Sequence, residues 1–495
     1  MRSNTTRLLV RNVVHLGLGQ VVTTALGVLL TAVIGRALEP SQLGILYIVL
    51  AITGFVGVIV EWGQGVYLVR EMARGRVDEP ELIGSALLLR LATIVFSSML
   101  AVAIALAMGY GGEIGTLTLM AMMAGIPSGL FATLACSFRS RDRMDIDALA
   151  NSVGKAMTLV ATFIALRFGG GLTEVILMGG IGAISTLLVG VIAALRLDVA
   201  VKAPVMKAVR EIFRHGAPIT VFSLVLGSQP FLDILMLSAF AGPTVVGWFG
   251  AFRSIFGIII SPAMILLGAT FPQLSRASLS LPDFQRMIDA TGRIMFIAAA
   301  FTSSALFLFA DHVVAIVFGH GRFEQTASIL RVNAVFIPLL FLVLVLASAM
   351  NAVGRNKEMA VISIVRVAAC AALNWLLIGY WQQKYGNGAI ALVIIAGVAE
   401  IPATVACLIF LPKGAVGSTT MLSMIRACVA SLCTVVPLWM LQPLGLFYLI
   451  PLYALLSVLM AMVTRLVLPS DLRLAWDIAR SRMVAPEAAK SAPDS

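Results

Sequence analysis

Runs of about twenty mostly apolar residues recur from one end of this chain to the other, and no soluble core could hold them all. The expected spans are 12–34, 42–61, 82–108, 114–136, 147–168, 172–195, 216–240, 245–268, 293–318, 331–352, 359–380, 388–411, 421–441 and 444–466. Each is long enough to cross a bilayer as a helix, which takes about 20 residues. Barrel strands would alternate polar and apolar over about ten residues, and these runs do not. Only 12% of the 495 residues are charged, where a soluble domain carries about a quarter. The expected fold is therefore an all-α polytopic membrane protein with about fourteen transmembrane helices. Arg2, Arg7 and Arg11 precede the first run as they would in a signal peptide, but that run reaches about Ile34 and similar runs follow. It is read as the first, uncleaved span.

The formal net charge of +11 raises the question of a polyanionic partner. The positions of the basic residues answer it. With the N-terminus in the cytoplasm, clusters such as Arg70–Arg74–Arg76, Arg139–Arg141–Arg143 and Lys202–Lys207–Arg210–Arg214 all fall on the cytoplasmic side. About 26 of the 35 basic residues do so, and about five (Arg36, Arg167, Arg322, Arg331, Lys384) fall in the opposite loops. The charge reports topology, with both termini cytoplasmic, and calls for no nucleic acid. Beyond about Pro469, LRLAWDIARSR has the pattern of a short surface helix and APEAAKSAPDS that of a disordered tail.

The chain also repeats itself. At a shift of 203 positions Pro40 meets Pro243, Gly44 meets Gly247 and Arg90 meets Arg293. Further on the shift is 211, and Pro127 meets Pro338, Ser152 meets Ser363 and Lys155 meets Arg366. The drift of eight residues fits a longer loop in the second copy. Six spans is an even number, so both copies start on the same side and are related by a pseudo-two-fold axis along the membrane normal. The expected organisation is an N-lobe at 1–200, a C-lobe at 201–415, two further helices at 416–468 and a cytoplasmic tail at 469–495, with a substrate cavity between the lobes.

Enzymatic and metal chemistry find no foothold. The four histidines are scattered, and the five cysteines form no CxxC pair and lie in or beside apolar runs, as buried thiols do. There is no P-loop, HExxH or nucleophile–base constellation. GGIGAIS (Gly179–Ser185) lies inside a span and reads as close helix packing, not as a nucleotide fingerprint. No catalytic residue and no metal ligand is assigned.

What remains is the set of ionisable groups inside the apolar runs. Each costs roughly 2.5–3.5 kcal/mol at mid-bilayer, so each needs a partner or a wet cavity. Arg90, Lys155 and Arg366 sit about seven or eight residues in from cytoplasmic helix ends, or roughly 10–12 Å deep. Arg90 either snorkels to the headgroups or faces the cavity. Lys155 and Arg366 occupy matching repeat positions, and two cations facing one another suit an anionic head group, above all a pyrophosphate. Asp233 and Arg253 form an outer tier, as a buried ion pair or as a gate and protonation switch. Pro230, three residues earlier, could bend the helix there. Glu400 lies near mid-membrane, as an ion-coupling carboxylate or as the partner of a basic residue such as Arg366.

Several stretches resemble one known group. EWGQGVYLVREMARG (Glu61–Gly75) is similar to the stretch after the second helix of polysaccharide-biosynthesis flippases, with Gln64 where their pattern has Leu. QLGILYIVLAI resembles the start of their second helix, and VVGWFGAFRSI its copy in the second lobe. DILML resembles the stretch carrying their helix-seven Asp, and SAMNAVGRNKEM their loop after helix ten. By this resemblance the chain is identified as a member of the multidrug/oligosaccharidyl-lipid/polysaccharide (MOP) exporter superfamily, most similar to O-antigen and exopolysaccharide repeat-unit flippases.

The resemblance implies a non-enzymatic transporter of the bacterial inner membrane, working by alternating access. Its implied substrate is an undecaprenyl-pyrophosphate-linked oligosaccharide, moved from the cytoplasmic to the periplasmic leaflet. Membrane lipids and other polysaccharide-assembly proteins are the implied partners. No cofactor is implied beyond coupling to a proton or sodium gradient, for which Glu400 and Asp233 are the candidates. A lipid II flippase and a multidrug/cation antiporter are the alternatives within the superfamily. A membrane glycan polymerase is the alternative outside it, and the longest outer loop, of about a dozen residues, is short for one.

Overall fold

The computed structural model describes residues 2–75, 77–441 and 445–466, with the side chains of 2–18 and of Leu226 outside the description. The expected surface helix and tail beyond 466 lie outside the described residues. Those residues are helical throughout apart from short connections, with no strand among them. The helices are α1 (Arg2–Ala37), α2 (Pro40–Glu61), α3 (Gln64–Arg74), α4 (Glu79–Ala107), α5 (Gly111–Ser140), α6 (Met144–Arg167), α7 (Leu172–Arg196), α8 (Met206–Gly227), α9 (Gln229–Ala277), α10 (Leu281–Phe318), α11 (Glu324–Ala352), α12 (Asn356–Tyr385), α13 (Gly388–Phe410), α14 (Ser418–Met440) and α15 (Leu446–Val463).

Thirteen helices among the described residues are long and apolar enough to cross a membrane. One of them, α9, is two crossings in one. Gly242, at φ 78° and ψ 172°, breaks it into 229–241 and 243–277. Only glycine takes up such a backbone without strain. The seventh crossing is itself interrupted, because α8 stops at Gly227 and α9 begins one residue past Ser228 with Gln229–Pro230. Proline fits the first turn of a new helix and cannot continue an old one. The fourteen crossings expected from hydropathy are therefore all present, with the seventh assembled from α8 and 229–241.

Two features depart from the expectation. The first is α3, which no apolar run announces because it is amphipathic and short. Trp62 and Gly63 both take left-handed backbone, φ 46° and 61°, and turn the chain out of α2. Gln64, Tyr67, Leu68 and Met72 then bury one face of α3 against Leu82, Ile83, Leu134 and Ile212, while Arg70 and Arg74 stay exposed. The turn is seated on α8: Trp62 Nε1 donates to the Phe213 carbonyl at 3.0 Å and the two rings stack at 4.7 Å. A methyl group on Gly216 would overlap the Trp62 carbonyl, so glycine is needed there for this approach.

The second departure concerns the eight-residue drift, which is helix and not loop. The first copy's α4 starts at 79 and α10 at 281, close to the 203 shift, but α10 has 38 residues where α4 has 29. The extra two turns lie at its far end, before α11. The rest of the repeat follows in order: α2 answers 243–277, α5 answers α11, α6 answers α12 and α7 answers α13. Pro127 and Pro338 both fall inside their helices, α5 and α11.

By compactness the chain forms two units. One comprises Met1–Ala269, Asp311–Leu330 and Ala360–Ala399; the other comprises Thr270–Ala310, Arg331–Met359 and Glu400–Ser495. In the first unit the two repeat copies touch through their own equivalents. A methyl on Gly44 would overlap the Pro243 carbonyl, and one on Gly247 the Pro40 carbonyl. This reciprocity is the signature of a two-fold contact. It lies at the ends reached on leaving α1, called distal below. Around it Arg36 donates to the carbonyls of Val317 and Ile316, on the added turns of α10. Tyr47 and Ser254 share a hydrogen bond of 2.6 Å, and Tyr110 bonds Ser238. At the opposite end, Lys202 Nζ lies 2.6 Å from Asp78 Oδ2, and its hydrogen bond holds that exposed carboxyl below its ordinary range. This pair and the bond between Lys202 N and the Pro80 carbonyl lay the connection after α7 along the start of α4.

The second unit is held at α14 by Asp289 of α10, whose carboxylate accepts from Thr419 and Thr420 in the first turn of α14. It thereby supplies acceptors beside the helix's unpaired N-terminal amides. Tyr453 of α15 donates to the Phe301 carbonyl at 2.7 Å, over a small core of Leu308, Leu438 and Leu449.

Candidate functional site

Within the first unit, α6 carries its polar residues on one face. Asp147, Asn151, Lys155, Thr158 and Thr162 follow at intervals of four, four, three and four, which is helical spacing. Its other side is clamped on α7. A methyl on Gly154 would overlap Thr186, and one on Gly182 would overlap Thr158, so the two backbones lie close. Gly180 likewise packs on Ala124 of α5, so GGIGAIS is helix packing. The polar face is thereby held toward α1 and α2.

Two cavities open along it, and Lys155 lines both. The inner one, about 360 Å³, is walled by apolar residues such as Leu30, Ile34, Leu46 and Val175. Hydroxyls of Thr31, Thr53, Ser128, Thr158 and Thr162 and the Tyr47 ring interrupt these walls. No carboxylate among the described residues lines it. The second, about 500 Å³, is polar and lies between Gln20, Thr23 and Thr24 of α1 and Asp147, Asn151 and Arg139. Both volumes fall in the usual range for small-molecule sites. Arg139 binds the buried Asp147 at 2.7 Å, so that pair adds no net charge. Asn151 Nδ2 donates to Asp147 Oδ1 and to its carbonyl. The Lys155 ammonium makes no hydrogen bond or ion pair among the described residues. Among the described residues it is the only charged side chain that lines both cavities.

The other ionisable residues sit elsewhere. Arg90 is 2% exposed and turned into the packing of α2, α4 and α5. It donates from Nη1 to the Val60 carbonyl at 3.0 Å and from Nε to Thr133 Oγ1 at 3.2 Å. Val60 lies in the last turn of α2, where carbonyls lack helical partners. Its repeat counterpart Arg293 does the equivalent, donating at 3.0 Å to the carbonyl of Leu466, just past α15. Neither snorkelling nor cavity exposure describes Arg90, which binds a helix end and borders neither cavity.

Asp233 and Arg253 are neighbours within electrostatic reach, but they do not form a direct salt bridge. Arg253 Nη1 instead donates to the Pro230 carbonyl at 2.7 Å, beside the break between α8 and α9. Asp233 Oδ1 is approached by Asn374 Nδ2 at 3.4 Å, and the charges of both Arg253 and Arg366 act on it. Arg366, half-buried on α12, lines neither cavity of Lys155. Glu400 is buried in α13, in the second unit. No group of three or more histidine, cysteine, aspartate or glutamate side chains that could hold a metal occurs among the described residues.

The fold is similar to those of solved membrane transporters. The structure of the lipid II flippase MurJ in an inward closed conformation is similar to this chain with TM-score 0.72 at 13% identity, covering 90% of this chain and 96% of that one. A multidrug resistance MATE family transporter in an inward-facing conformation gives 0.65 at 16% identity, over 82% of this chain and 95% of that one. A MOP superfamily transporter from Pyrococcus furiosus, described by a reversed polarity of its binding pocket, gives 0.54 at 15% identity, over 84% and 96%. No curated protein matches the chain. A family model described as polysaccharide biosynthesis protein matches residues 9–278, more than half of the 495. The chain belongs to the polysaccharide biosynthesis protein family, and its thirteen long apolar helices among the described residues mark a multi-pass membrane protein.

Proposed function

We propose that this protein flips polyprenyl-pyrophosphate-linked oligosaccharide repeat units from the cytoplasmic to the periplasmic leaflet, for O-antigen, capsule or exopolysaccharide synthesis. One observation carries the reading: Lys155, which makes no ion pair among the described residues, borders both cavities of the first lobe, and no carboxylate among those residues lines the inner cavity. A cation antiporter needs negative or neutral polar lining. A fixed positive charge in a low-dielectric wall favours an anionic head group. The reversed pocket polarity described for the P. furiosus transporter is a precedent for such a departure within the superfamily.

In this reading the N- and C-termini face the cytoplasm of a bacterial inner membrane, as the basic residues suggest. The two repeat copies alternate access, and Arg366 joins Lys155 on the head group when the lobes rearrange. Asp233, beside Arg253 and Arg366, acts as a gate. Asp233 or Glu400 couples the cycle to a proton or sodium gradient.

The test is deletion of the gene followed by analysis of lipid-linked sugars. Repeat units are expected to accumulate on the cytoplasmic leaflet. Lys155→Ala and Arg366→Ala should each abolish surface glycan while leaving membrane levels of the protein intact, and normal export by both variants would refute the site. The fold likeness to MurJ keeps lipid II as a second substrate reading. Rescue of a strain depleted of its lipid II flippase would favour it.

A further inference from the structure

The mechanism above uses the charge of Lys155 and leaves the larger, polar cavity beside it without a task. Its walls are chemically mixed. Asn151 offers Oδ1, which accepts no hydrogen bond among the described residues, while its Nδ2 is held by Asp147. Gln20 and Thr24, one turn apart on α1, hydrogen-bond each other at 3.3 Å on an exposed face. Thr23 hydrogen-bonds backwards to Gly19 and Gln20 carbonyls. Donors and acceptors thus alternate along two facing helices. The approach of these helices is set by Gly19, where a methyl would press on Ala148, and by Gly27, over the Lys155 side chain. The Arg139–Asp147 pair closes one wall without adding charge.

Such a lining does not suit a bare ion or an apolar tail. It suits a group that is both donor and acceptor at many points and is joined to an anion, which describes a sugar phosphate. We propose that the α1–α6 vestibule is a saccharide subsite: the diphosphate of the lipid-linked substrate ion-pairs with Lys155, and the sugar nearest to it lies among Gln20, Thr24 and Asn151. The assignment rests on the transport reading above. It makes the first sugar, and not only the phosphate, a determinant of selection. The inner apolar cavity then continues from the phosphate along the face marked by Thr158 and Thr162.

The experiment measures binding to the full-length protein in detergent by thermophoresis. Three probes are used: a short-chain polyprenyl diphosphate bearing one N-acetylhexosamine, the same polyprenyl diphosphate without sugar, and inorganic pyrophosphate. Asn151→Ala and, separately, Gln20→Ala are expected to weaken the sugar-bearing probe about tenfold and to leave the other two unchanged, as loss of a hydrogen bond to a bound hydroxyl would. Lys155→Gln is expected to weaken all three. Gln20 hydrogen-bonds Thr24 and not the Arg139–Asp147 pair, so its variant serves as the check against a folding defect. Unchanged affinity of both polar variants for the sugar-bearing probe, with wild-type binding intact, would overturn the subsite and leave the transport reading standing. Wild-type protein that binds pyrophosphate but neither lipid-linked probe would overturn both.

Discussion

Gln64 should be replaceable by leucine with a gain in stability. Its side chain is fully buried at the start of α3, and neither Nε2 nor Oε1 has a hydrogen-bond partner. An unsatisfied buried polar group costs about 1–3 kcal/mol, and this residue presents two such atoms. Leucine is of similar size, so Gln64→Leu removes the polar atoms without opening a cavity. Allowing for imperfect packing, a gain of about 2 kcal/mol is expected, or roughly 30-fold in the folded-to-unfolded ratio. The neighbours are already apolar, with Tyr67, Leu68 and Met72 following on the same helix. The assay is the thermal midpoint of purified protein in detergent, with protease resistance in membranes as a second measure. Gln64→Ala is the control, since it removes the same atoms but leaves a void, and it should gain less or lose. A Leu variant that melts below wild type would show that the amide is satisfied in the folded protein and that the reasoning is wrong.

Other substitutions separate scaffold from site. Arg90→Ala should lower membrane levels, because it strips the Val60 carbonyl and Thr133 of their donor, and Arg90→Lys should restore them only in part; immunoblotting of membranes distinguishes this from Lys155→Ala, which should not change levels. Gly44→Ala should cut glycan export by more than about tenfold, since its methyl would collide with the Pro243 carbonyl; normal export would mean that the distal contact is not needed. For Asp233, export by Asp233→Asn, Arg253→Ala and the charge-swapped double variant should all fall. The swap is not expected to rescue, because Arg253 is bonded to the Pro230 carbonyl and not to the carboxylate; rescue would restore the simple ion pair.

Hydropathy carries most of this fold because a bilayer leaves a chain so few choices: each long apolar run must become a helix that satisfies its own backbone. The same logic hides α3. Eleven residues with alternating character make no long apolar run, although the spacing of Gln64, Tyr67, Leu68 and Met72 was there to be read at helical period. The drift between repeat copies was visible as a number, but a shift alone does not tell added helix from added loop. Matching positions also do not imply meeting side chains. Lys155 and Arg366 align across the copies, yet Lys155 borders cavities and Arg366 acts on Asp233. The polar face of α6 was legible as five residues at intervals of three and four. Charge alone marks only Lys155 and Asp147 on that face, and not the amide and hydroxyls that join them.

The contact at Gly44 and Gly247 also has a bearing on how readily the distal ends could part. At the two glycines the contact is backbone on backbone, and one turn further the Tyr47 ring packs on Gly250, so separation there undoes weak dispersion, about 0.1–0.2 kcal/mol for each atom pair. The stronger ties are the hydrogen bonds around it, from Arg36, between Tyr47 and Ser254, and between Tyr110 and Ser238. At about 0.5–1.5 kcal/mol each, these four bonds sum to roughly 2–6 kcal/mol. A ligand that prefers one state by about 30-fold to about 20,000-fold shifts an equilibrium by that much. Under the transport reading proposed above, ties of this size are within what substrate or ion binding can reverse.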